Sequence, residues 1–361
     1  MKLISRVLKA FGLFLILGAL AFYFWPEKTY EPYQVSPEYQ AQVDAFYLPD
    51  MPPDWTWNTF EAADGTKLRW GETGNSAAAK ATLIMVPGYT ATMSMYPEHV
   101  DILARRGYHV VGIDMRGQGG SERHRASQPE KLWVDDFKDY SDDLAAFIKT
   151  LPRKEGQPVI AMAISFGGHV GVRMAGDHPG LVDGLFLMAP AIEPKAGEMS
   201  FSQAKNLMNW ARRLGKSKNY LQGNDNWKPF QEDISIANID LCSSNPNRLP
   251  NRDVVFTRNP AERVGGVTAQ WGAEFFESSE YIRRDGYLEN IDVPVTIISA
   301  EVDYFVVTDV NQAACDSRFP DCQRLDLKGA GHCLLQESDE LLGEMFESLD
   351  ALLERIKSTS G

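Results

Sequence analysis

VIAMAISFGGHV, the run from Val159 to Val170, is the stretch around which the rest of the chain is organised, and its meaning depends on the sequence that surrounds it. An apolar, β-branched run leads into Ser165 and a helix-compatible run follows, so the backbone has to reverse sharply at the serine. Small residues, Ala163 and Gly167, stand two positions before and two after it, where a tight strand-to-helix turn leaves no room for larger side chains. The pattern is typical of a turn that lifts a nucleophilic hydroxyl out of a sheet edge, with alanine where glycine is usual.

Composition limits the classes of protein to which the chain can belong. Its 361 residues are 44% hydrophobic, enough for one large α/β domain with an insertion or for two smaller domains. The formal net charge is -13. Because phosphate binding needs clustered lysine and arginine side chains, this balance argues against a nucleic-acid partner, and solubility is its simplest explanation.

The N-terminus is predicted to be separate from the globular part. Lys2, Arg6 and Lys9 precede an apolar run from Ala10 to Trp25, the arrangement of an export signal. A helix of this run would be about 24 Å long, short of the roughly 30 Å hydrocarbon core, although apolar residues before it could extend it. Both a membrane anchor and a signal peptide are therefore compatible with residues 1–25.

Two local features separate these alternatives. Ala19-Leu20-Ala21 resembles a cleavage site, whereas the aromatic run from Phe22 to Trp25 resembles an interfacial belt. We favour an uncleaved anchor, with an exported soluble protein as the alternative. The basic flank stays in the cytoplasm in both cases, so we expect the globular part on the far, periplasmic side of the membrane. Residues 26–54, rich in Pro, Tyr and Glu, predict an extended tether or an arm laid on the domain, with little regular structure.

Strand and helix patterns alternate over residues 55–192, after a predicted hairpin around Asp64-Gly65. This spacing predicts right-handed β-α-β units, a mainly parallel sheet and helices on both of its faces. The alternation of strands and helices is interrupted over residues 193–290, which contain helix-length segments and aromatic residues but no clear strand. It resumes over residues 291–361. We therefore expect an α/β core of residues 55–192 and 291–361. Residues 193–290 would form a helical cap, with its tryptophans as cap core, over the carboxyl edge of the sheet, where ligands bind.

The four cysteines favour disulfides, because an even number in a predicted exported domain is typical of paired thiols. Three pairings are open, and four reduced thiols are the alternative. Cys315 with Cys322 is favoured because that pair closes a short loop. The sequence has no C-x-x-C pair and no two histidines four residues apart, so neither a metal site nor a cofactor is predicted.

A serine hydroxyl needs an imidazole base, and the base needs a carboxylate that holds its tautomer. On a sheet of this type the three follow in the order serine, carboxylate, histidine. After Ser165, the strand that follows the cap ends in Ser299-Ala300-Glu301-Val302-Asp303, and His332 stands in a glycine-rich loop after the last strand. The residues leave either Glu301 or Asp303 as the carboxylate.

The same geometry predicts an oxyanion hole. Backbone N–H groups of Phe166, directly after the nucleophile, and of Tyr89, after the first strand-to-helix turn, would hold a tetrahedral oxyanion. Asp114 and Arg116 are interpreted as an ion pair or loop brace under the site. The other five histidines are interpreted as packing or surface residues.

These motifs together resemble the serine aminopeptidase S33 branch of the α/β-hydrolases, which includes monoglyceride lipases, and within it the bacterial lysophospholipases of the L2 type. The resemblance covers most of residues 55–357. Besides the turn at Ser165, the shared stretches are Val86-Pro87-Gly88, Asp114-x-Arg116-Gly117-Gln118-Gly119, Asp139 to Phe147, Arg263-Val264-Gly265-Gly266 and His332-x-Leu334-Leu335.

The resemblance implies an α/β-hydrolase fold with an inserted helical cap. Ser165 would be the nucleophile, His332 the base and Asp303, in preference to Glu301, the acid. The chain departs from the family pattern at Ala163, in the N-terminal segment and in its cysteines.

The implied function is a serine carboxylic-ester hydrolase that acts on single-acyl lipids, lysophospholipid or monoacylglycerol, through an acyl-enzyme. Its expected partners are a lipid or other ester substrate and, through the N-terminal segment, a membrane. An acyltransferase, a thioesterase or a peptidase on the same triad is the alternative. A non-catalytic binding module is disfavoured, because a binder has no need of all three groups.

Overall fold

The computed structural model describes residues 27–74, 76–221, 223–236 and 238–359. Eight strands form one sheet: β1 (Thr56–Glu61), β2 (Lys67–Glu72), β3 (Ala81–Val86), β4 (Tyr108–Ile113), β5 (Val159–Ile164), β6 (Gly184–Met188), β7 (Val295–Val302) and β8 (Cys322–Gly331). Their order is β1-β2-β4-β3-β5-β6-β7-β8. Strands β3 to β8 run parallel, and the β1–β2 hairpin pairs antiparallel with the edge of β4. The predicted mainly parallel sheet is confirmed.

Helices cover both faces of the sheet, as the α/β pattern predicts. They are α1 (Pro37–Ala45), α2 (Pro97–Arg105), α3 (Lys138–Thr150), α4 (Phe166–Asp177), α5 (Phe201–Arg213), α6 (Asn251–Arg258), α7 (Ala269–Ile282), α8 (Thr308–Ser317) and α9 (Asp339–Thr359). Phe147 of α3, Val170 of α4 and Ala314 of α8 belong to the core on one face. Val100 of α2 and Leu349 of α9 belong to the core on the other.

The central strands are almost entirely apolar, with Thr82 and His109 as buried exceptions, because both of their faces are covered. Every residue of β3, β4, β5 and β6 is buried. Continuous apolar runs of this kind are expected in a parallel sheet between two helical layers. The carboxyl ends of β5, β7 and β8 point to the same edge, and this edge carries the candidate site.

The chain between β6 and β7 forms a helical insertion that contains α5, α6 and α7. Its described residues contribute no strand to the sheet, only isolated bridges such as Tyr220 with Thr268. Trp227 and Trp271 are buried, as expected for cap core, but Trp210 on α5 is 59% exposed, so the expectation is wrong for this residue. Trp210 lies on the solvent side of α5, whose other side packs against α7 through Ala204 and Met208.

Residues 27–54 are more ordered than the Pro-rich composition predicts. Helix α1 begins after Ser36, whose hydroxyl accepts a hydrogen bond from the Tyr39 N–H, and has Pro37 in its first turn. Tyr39 and Val43 pack in one cluster with Val254 of α6. The expectation of little regular structure was therefore wrong, and the alternative of an arm laid on the domain describes this segment.

The predicted anchor or signal segment, residues 1–25, lies outside the described residues. Among the residues that are described, no helix is both long enough and apolar enough to cross a membrane.

All four cysteines form disulfides. Cys315 is bonded to Cys322, as favoured from the sequence. Cys242, in the insertion, is bonded to Cys333, which follows His332. The alternative of four reduced thiols is therefore wrong.

Candidate active site

Ser165 stands in the turn between β5 and α4, with a backbone φ of 52°. This left-handed conformation is rare for a residue with a side chain and is held in place by the neighbouring backbone. The Ser165 N–H donates to the Met188 carbonyl at 2.8 Å, and the Ser165 carbonyl accepts from the N–H of Ala191 at 2.9 Å. The turn is thus tied to the end of β6 and the loop that follows it.

The small residues around the turn are required by close backbone contacts. A Cβ at Gly167 would lie 2.3 Å from the Val86 carbonyl oxygen, so no other residue fits there without displacing β3. Ala163, where glycine is usual, is fully buried. A Cβ at Gly171 would lie 3.3 Å from the Ala163 Cβ. The glycine on α4 therefore leaves the space that the extra methyl group occupies.

His332 lies directly after β8 and reaches both predicted partners. Its Nε2 is 2.9 Å from the Ser165 Oγ, and its Nδ1 is 2.7 Å from the Asp303 Oδ2. With an ionised carboxylate on the far side, Nδ1 carries the proton that it donates to Asp303, and Nε2 accepts from the serine hydroxyl. Only 8% of His332 is exposed, and the exposed ring of Phe305 lies 4.8 Å from the imidazole.

Asp303 is buried, and both of its carboxylate oxygens are hydrogen-bonded. Its Oδ1 accepts from the backbone N–H groups of Phe305 at 2.8 Å and of Val306 at 2.9 Å. Burial by itself would raise the pKa of Asp303. The hydrogen bond and charge of His332, together with the two N–H donors, outweigh burial and hold this pKa below its ordinary value. The carboxylate is therefore charged at neutral pH.

Glu301, the alternative carboxylate, has a different partner. Its side chain is exposed, and its Oε2 accepts from the Gly329 N–H at 2.6 Å. Of the two carboxylates that the sequence left open, only Asp303 contacts His332.

The two predicted oxyanion donors flank Ser165. Phe166 is the first residue of α4, so its N–H has no acceptor within the helix. A Cβ on Gly88 would lie 3.4 Å from the Ser165 Cβ, which shows how closely the loop that contains Tyr89 approaches the nucleophile. The Tyr89 hydroxyl donates to the Gly265 carbonyl at 2.8 Å, which ties the side chain to the insertion.

Gln118 supports this loop, a role that was not predicted from the sequence. Its side chain is buried, and its Oε1 accepts from the Thr90 N–H at 2.7 Å. Thr90 has a φ of 58°, again in the left-handed region. Gln118 belongs to the Asp114-x-Arg116-Gly117-Gln118-Gly119 motif that the chain shares with the family, but the motif does not show which backbone group the amide contacts.

Asp114 and Arg116 act as loop braces, each through separate partners. Asp114 accepts from the Arg69 guanidinium at 2.8 Å and from the Met93 N–H at 2.7 Å. Arg116 makes a bidentate pair with Asp143, with distances of 2.7 and 2.8 Å.

The remaining histidines are in packing or surface positions: His99, His109 and His169 are buried, His124 stacks on Trp133, and His178 contacts Asp142.

Within the described ranges, no group of three or more His, Cys, Asp or Glu side chains comes together as it would around a metal ion. The side chains that meet at this edge are a hydroxyl, an imidazole and a buried carboxylate. Hydrogen-bonded in this order, the three groups can remove the hydroxyl proton as the oxygen attacks a carbonyl carbon.

Comparison with known proteins gives a consistent assignment. The family model for serine aminopeptidase, S33, matches residues 77–339. Lysophospholipase L2 of Escherichia coli (strain K12) is 28% identical over 293 residues, covering 77% of this chain and 82% of the relative. Probable lysophospholipase L2 of Haemophilus influenzae is 23% identical over 283 residues, covering 77% of this chain and 85% of the relative.

A solved structure shows the same architecture. A soluble variant of monoglyceride lipase from Saccharomyces cerevisiae, in complex with a substrate analogue, superposes with a TM-score of 0.64 and covers 91% of this chain and 99% of its own. Its sequence is 16% identical, so this likeness shows the fold and nothing further.

Proposed function

The chain belongs to the serine aminopeptidase S33 family of α/β-hydrolases, and from that membership we propose that it hydrolyses the carboxylic ester bond of single-acyl lipids, lysophospholipids or monoacylglycerols. The observation that carries the proposal is the continuous hydrogen-bonded series from Ser165 through His332 to Asp303. Ser165 is the proposed nucleophile, His332 the base and Asp303 the group that orients the base.

Acylation begins when the Ser165 oxygen attacks the ester carbonyl carbon and its proton passes to Nε2 of His332. Asp303 holds the imidazole in the required tautomer and stabilises the imidazolium that forms. The N–H groups of Tyr89 and Phe166 are the proposed donors to the oxyanion that forms. His332 then gives its proton to the departing alcohol, and the acyl group remains on Ser165.

Deacylation repeats these steps with water as the nucleophile. His332 removes a proton from the water as its oxygen attacks the acyl-enzyme carbonyl, and then returns the proton to Ser165. The products are a fatty acid and an alcohol. The alcohol is glycerol when the substrate is a monoacylglycerol and a glycerophosphodiester when it is a lysophospholipid.

The choice of a single-acyl lipid is supported by the relatives and by the residues around the site. Two curated relatives that span most of this chain are lysophospholipases by name, one of them a probable assignment. Phe305, which contacts His332, is 44% exposed, and its neighbour Tyr304 is 54% exposed. Exposed aromatic side chains beside the reacting groups favour a substrate with a large apolar part.

The test measures fatty-acid release from lysophosphatidylcholine, monoacylglycerol and a diacyl phospholipid by the purified full-length protein. We expect the two single-acyl lipids to be cleaved faster than the diacyl lipid. Ser165→Ala should lower kcat by about four to six orders of magnitude, because the nucleophile and its base act as one unit. Ser127→Ala, which removes an exposed hydroxyl, is the matched control and should retain the wild-type rate.

Equal rates for Ser165→Ala and the wild type would refute the proposed nucleophile. Product analysis in the presence of a second lipid alcohol tests the nature of the acceptor. If the acyl group appears mainly on that alcohol instead of as free fatty acid, the protein is an acyltransferase and the hydrolase proposal is wrong.

A further inference from the structure

A short piece of the insertion lies against the loop that carries His332. We call the first the cap segment (residues 242–248) and the second the histidine loop (residues 331–337). The disulfide between Cys242 and Cys333 joins them across 91 residues of sequence. The Cys333 N–H also donates to the Cys242 carbonyl at 2.9 Å. The covalent link therefore ends on the residue directly after the imidazole.

The backbone on the other side of His332 touches the same cap segment. A Cβ added to Gly331 would lie only 2.4 Å from the Cys242 carbonyl oxygen, so the two backbones are in contact. The Gly331 N–H donates to Oε1 of Glu337 at 2.7 Å, and Glu337 is fully buried. His332 is thus held from both of its neighbours in the chain.

The cap segment also holds the far end of the histidine loop. The side chains of Asn245 and Arg248 donate to the Glu337 carbonyl at 3.0 and 2.7 Å. The Ser243 hydroxyl donates to the Gln336 carbonyl at 2.8 Å. These hydrogen bonds use main-chain acceptors in the loop, so they set the path of its backbone.

The same part of the insertion reaches the loop of the acid. The hydroxyl of Tyr304, the residue after Asp303, donates to Oδ1 of Asp240 at 3.0 Å. The insertion therefore contacts both loops that supply partners to Ser165, although it supplies no side chain to the hydrogen-bonded series itself.

We propose that the cap segment is a positioning element for His332, with the Cys242–Cys333 disulfide as its main attachment. The inference rests on the proposed function, because it concerns the base of that reaction. Proton transfer tolerates little displacement, and a misplacement of about 1 Å can lower the rate by roughly a hundredfold. A loop after an edge strand needs support from other elements to hold such a position.

The experiment compares two double variants that each remove one disulfide, C242S/C333S and C315S/C322S. The second is the matched control, because it removes the disulfide between the end of α8 and the start of β8. Two quantities are measured at a temperature where circular dichroism shows both variants folded. They are the rate at which a fluorophosphonate labels Ser165, and kcat and KM for a monoacylglycerol.

We expect C242S/C333S to be labelled about tenfold more slowly than the wild type and to lose about tenfold in kcat, with KM within about twofold. C315S/C322S should stay within about twofold in every quantity. A purely structural disulfide would instead lower the melting temperature and leave the kcat of the folded fraction unchanged. Equal labelling rates for the two double variants would overturn the proposal.

Asn245→Ala keeps the test decisive if C242S/C333S does not fold. It leaves both disulfides and removes one hydrogen bond to the histidine loop, so kcat should fall about two- to threefold at unchanged KM. Wild-type kcat in this variant would then count against the proposal. If Ser165 of the wild type is not labelled by the fluorophosphonate and the wild type cleaves no ester, the proposed function is refuted. If the wild type is labelled and both double variants are labelled at the same rate as the wild type, only the positioning role is refuted.

Discussion

At the scale of single residues, Ser165 combines an unfavourable backbone conformation with a hydroxyl that is hydrogen-bonded to an imidazole. A non-glycine residue in this region of φ and ψ costs about 1–3 kcal/mol. The surrounding backbone offsets this cost, because three hydrogen bonds hold the turn: the Ser165 N–H donates to Met188, and the N–H groups of Ala191 and His169 donate to the Ser165 carbonyl. Strained backbone conformations cluster at active sites, and the hydroxyl of this strained residue contacts an imidazole, as expected for a reactive serine.

Asp303 and Glu301 differ in environment although they are two residues apart. Residues at this spacing share one face of a regular strand. Here the pairing of β7 with β8 shifts register between Ala300 and Val302, and β7 ends at Val302. Glu301 therefore stays on the exposed strand edge, and Asp303 turns into the buried space beside His332.

Isosteric amide variants test this assignment. Asp303→Asn should lower kcat by about three to four orders of magnitude, because an amide leaves the imidazole in the wrong tautomer. Glu301→Gln retains an acceptor for the Gly329 N–H and should keep kcat within about threefold of the wild type. The measurement is steady-state hydrolysis of one monoacylglycerol by both variants, and a larger loss for Glu301→Gln than for Asp303→Asn would sink the assignment.

At the scale of elements, His169 joins α4 to α7 of the insertion. Its Nδ1 donates to the Ala191 carbonyl at 3.0 Å, and its Nε2 accepts from the Ser278 hydroxyl at 2.8 Å. The same hydroxyl accepts from Arg173 at 2.7 Å, so its proton is directed towards the imidazole. Burial, with a contribution from the charge of Arg173, lowers the pKa of His169 to about 3. The side chain is a neutral connector between core and insertion.

This lowered pKa predicts a loss of stability on acidification. Between the ordinary value and the folded value, the unfolded chain binds the extra proton, so stability falls as the pH falls. From pH 7 to pH 5 the His169 contribution to the free energy of unfolding should drop by about 2 kcal/mol.

Urea unfolding at the two pH values, compared between the wild type and His169→Asn, isolates the His169 contribution. The variant keeps a donor for Ala191 and should be less stable at pH 7, but its stability should depend less on pH. An equal difference between pH 7 and pH 5 in both proteins would contradict the prediction.

Helix α1 shows what element-scale prediction can overlook. Ser36-Pro37-Glu38 has an N-cap serine, a proline in the first turn and an acidic residue near the N-terminus, which are the marks of a helix start. The Pro-rich composition of residues 26–54 obscured this local signal. The helix has little apolar periodicity of its own, and its contacts with α6 can only be seen in the fold.

At the scale of the whole molecule, the insertion is joined to the core by buried charges as well as by the cap segment. Arg69 on β2 donates to Asp114 at 2.8 Å and to Glu262 of the insertion at 2.8 Å. Asp114 is fully buried, and Glu262 is 8% exposed. Removing one partner of such a group leaves an uncompensated buried charge, which is strongly destabilising. The insertion is therefore bound to the core through the β2 side of the sheet as well as through the cap segment.

The N-terminal segment gives a prediction at the same scale. Glu27 pairs with Arg125 and with the buried Lys131, so the chain is held on the domain from its first described residue. We propose that residues 1–25 anchor this domain to a membrane, with the domain on the periplasmic side, where disulfides persist. The full-length protein should remain with membranes after a carbonate wash, and mass spectrometry should find an intact N-terminus. A soluble protein that begins near Phe22 would support the cleaved alternative.

By itself, the sequence determined what depends on neighbouring residues. Periodicity and turn residues located the strands and the turn at Ser165, because their signals lie within a few positions of one another. The predicted glycine-rich loop before His332 was wrong in its bounds, because β8 continues through Gly331. The order of the motifs then predicted which side chains meet, and the structure brings those side chains together, while their catalytic roles stay predictions.

Only the tertiary structure decided what depends on contacts between distant segments. It brought Asp303, which the resemblance had preferred, and not Glu301 into contact with His332. It also showed that Gln118 contacts the loop of Thr90 and that Cys242 pairs with Cys333. Each of these outcomes depends on where two segments meet in space, and no periodic pattern encodes that meeting point. The support of His332 by the insertion is therefore invisible in the sequence, although the histidine itself is not.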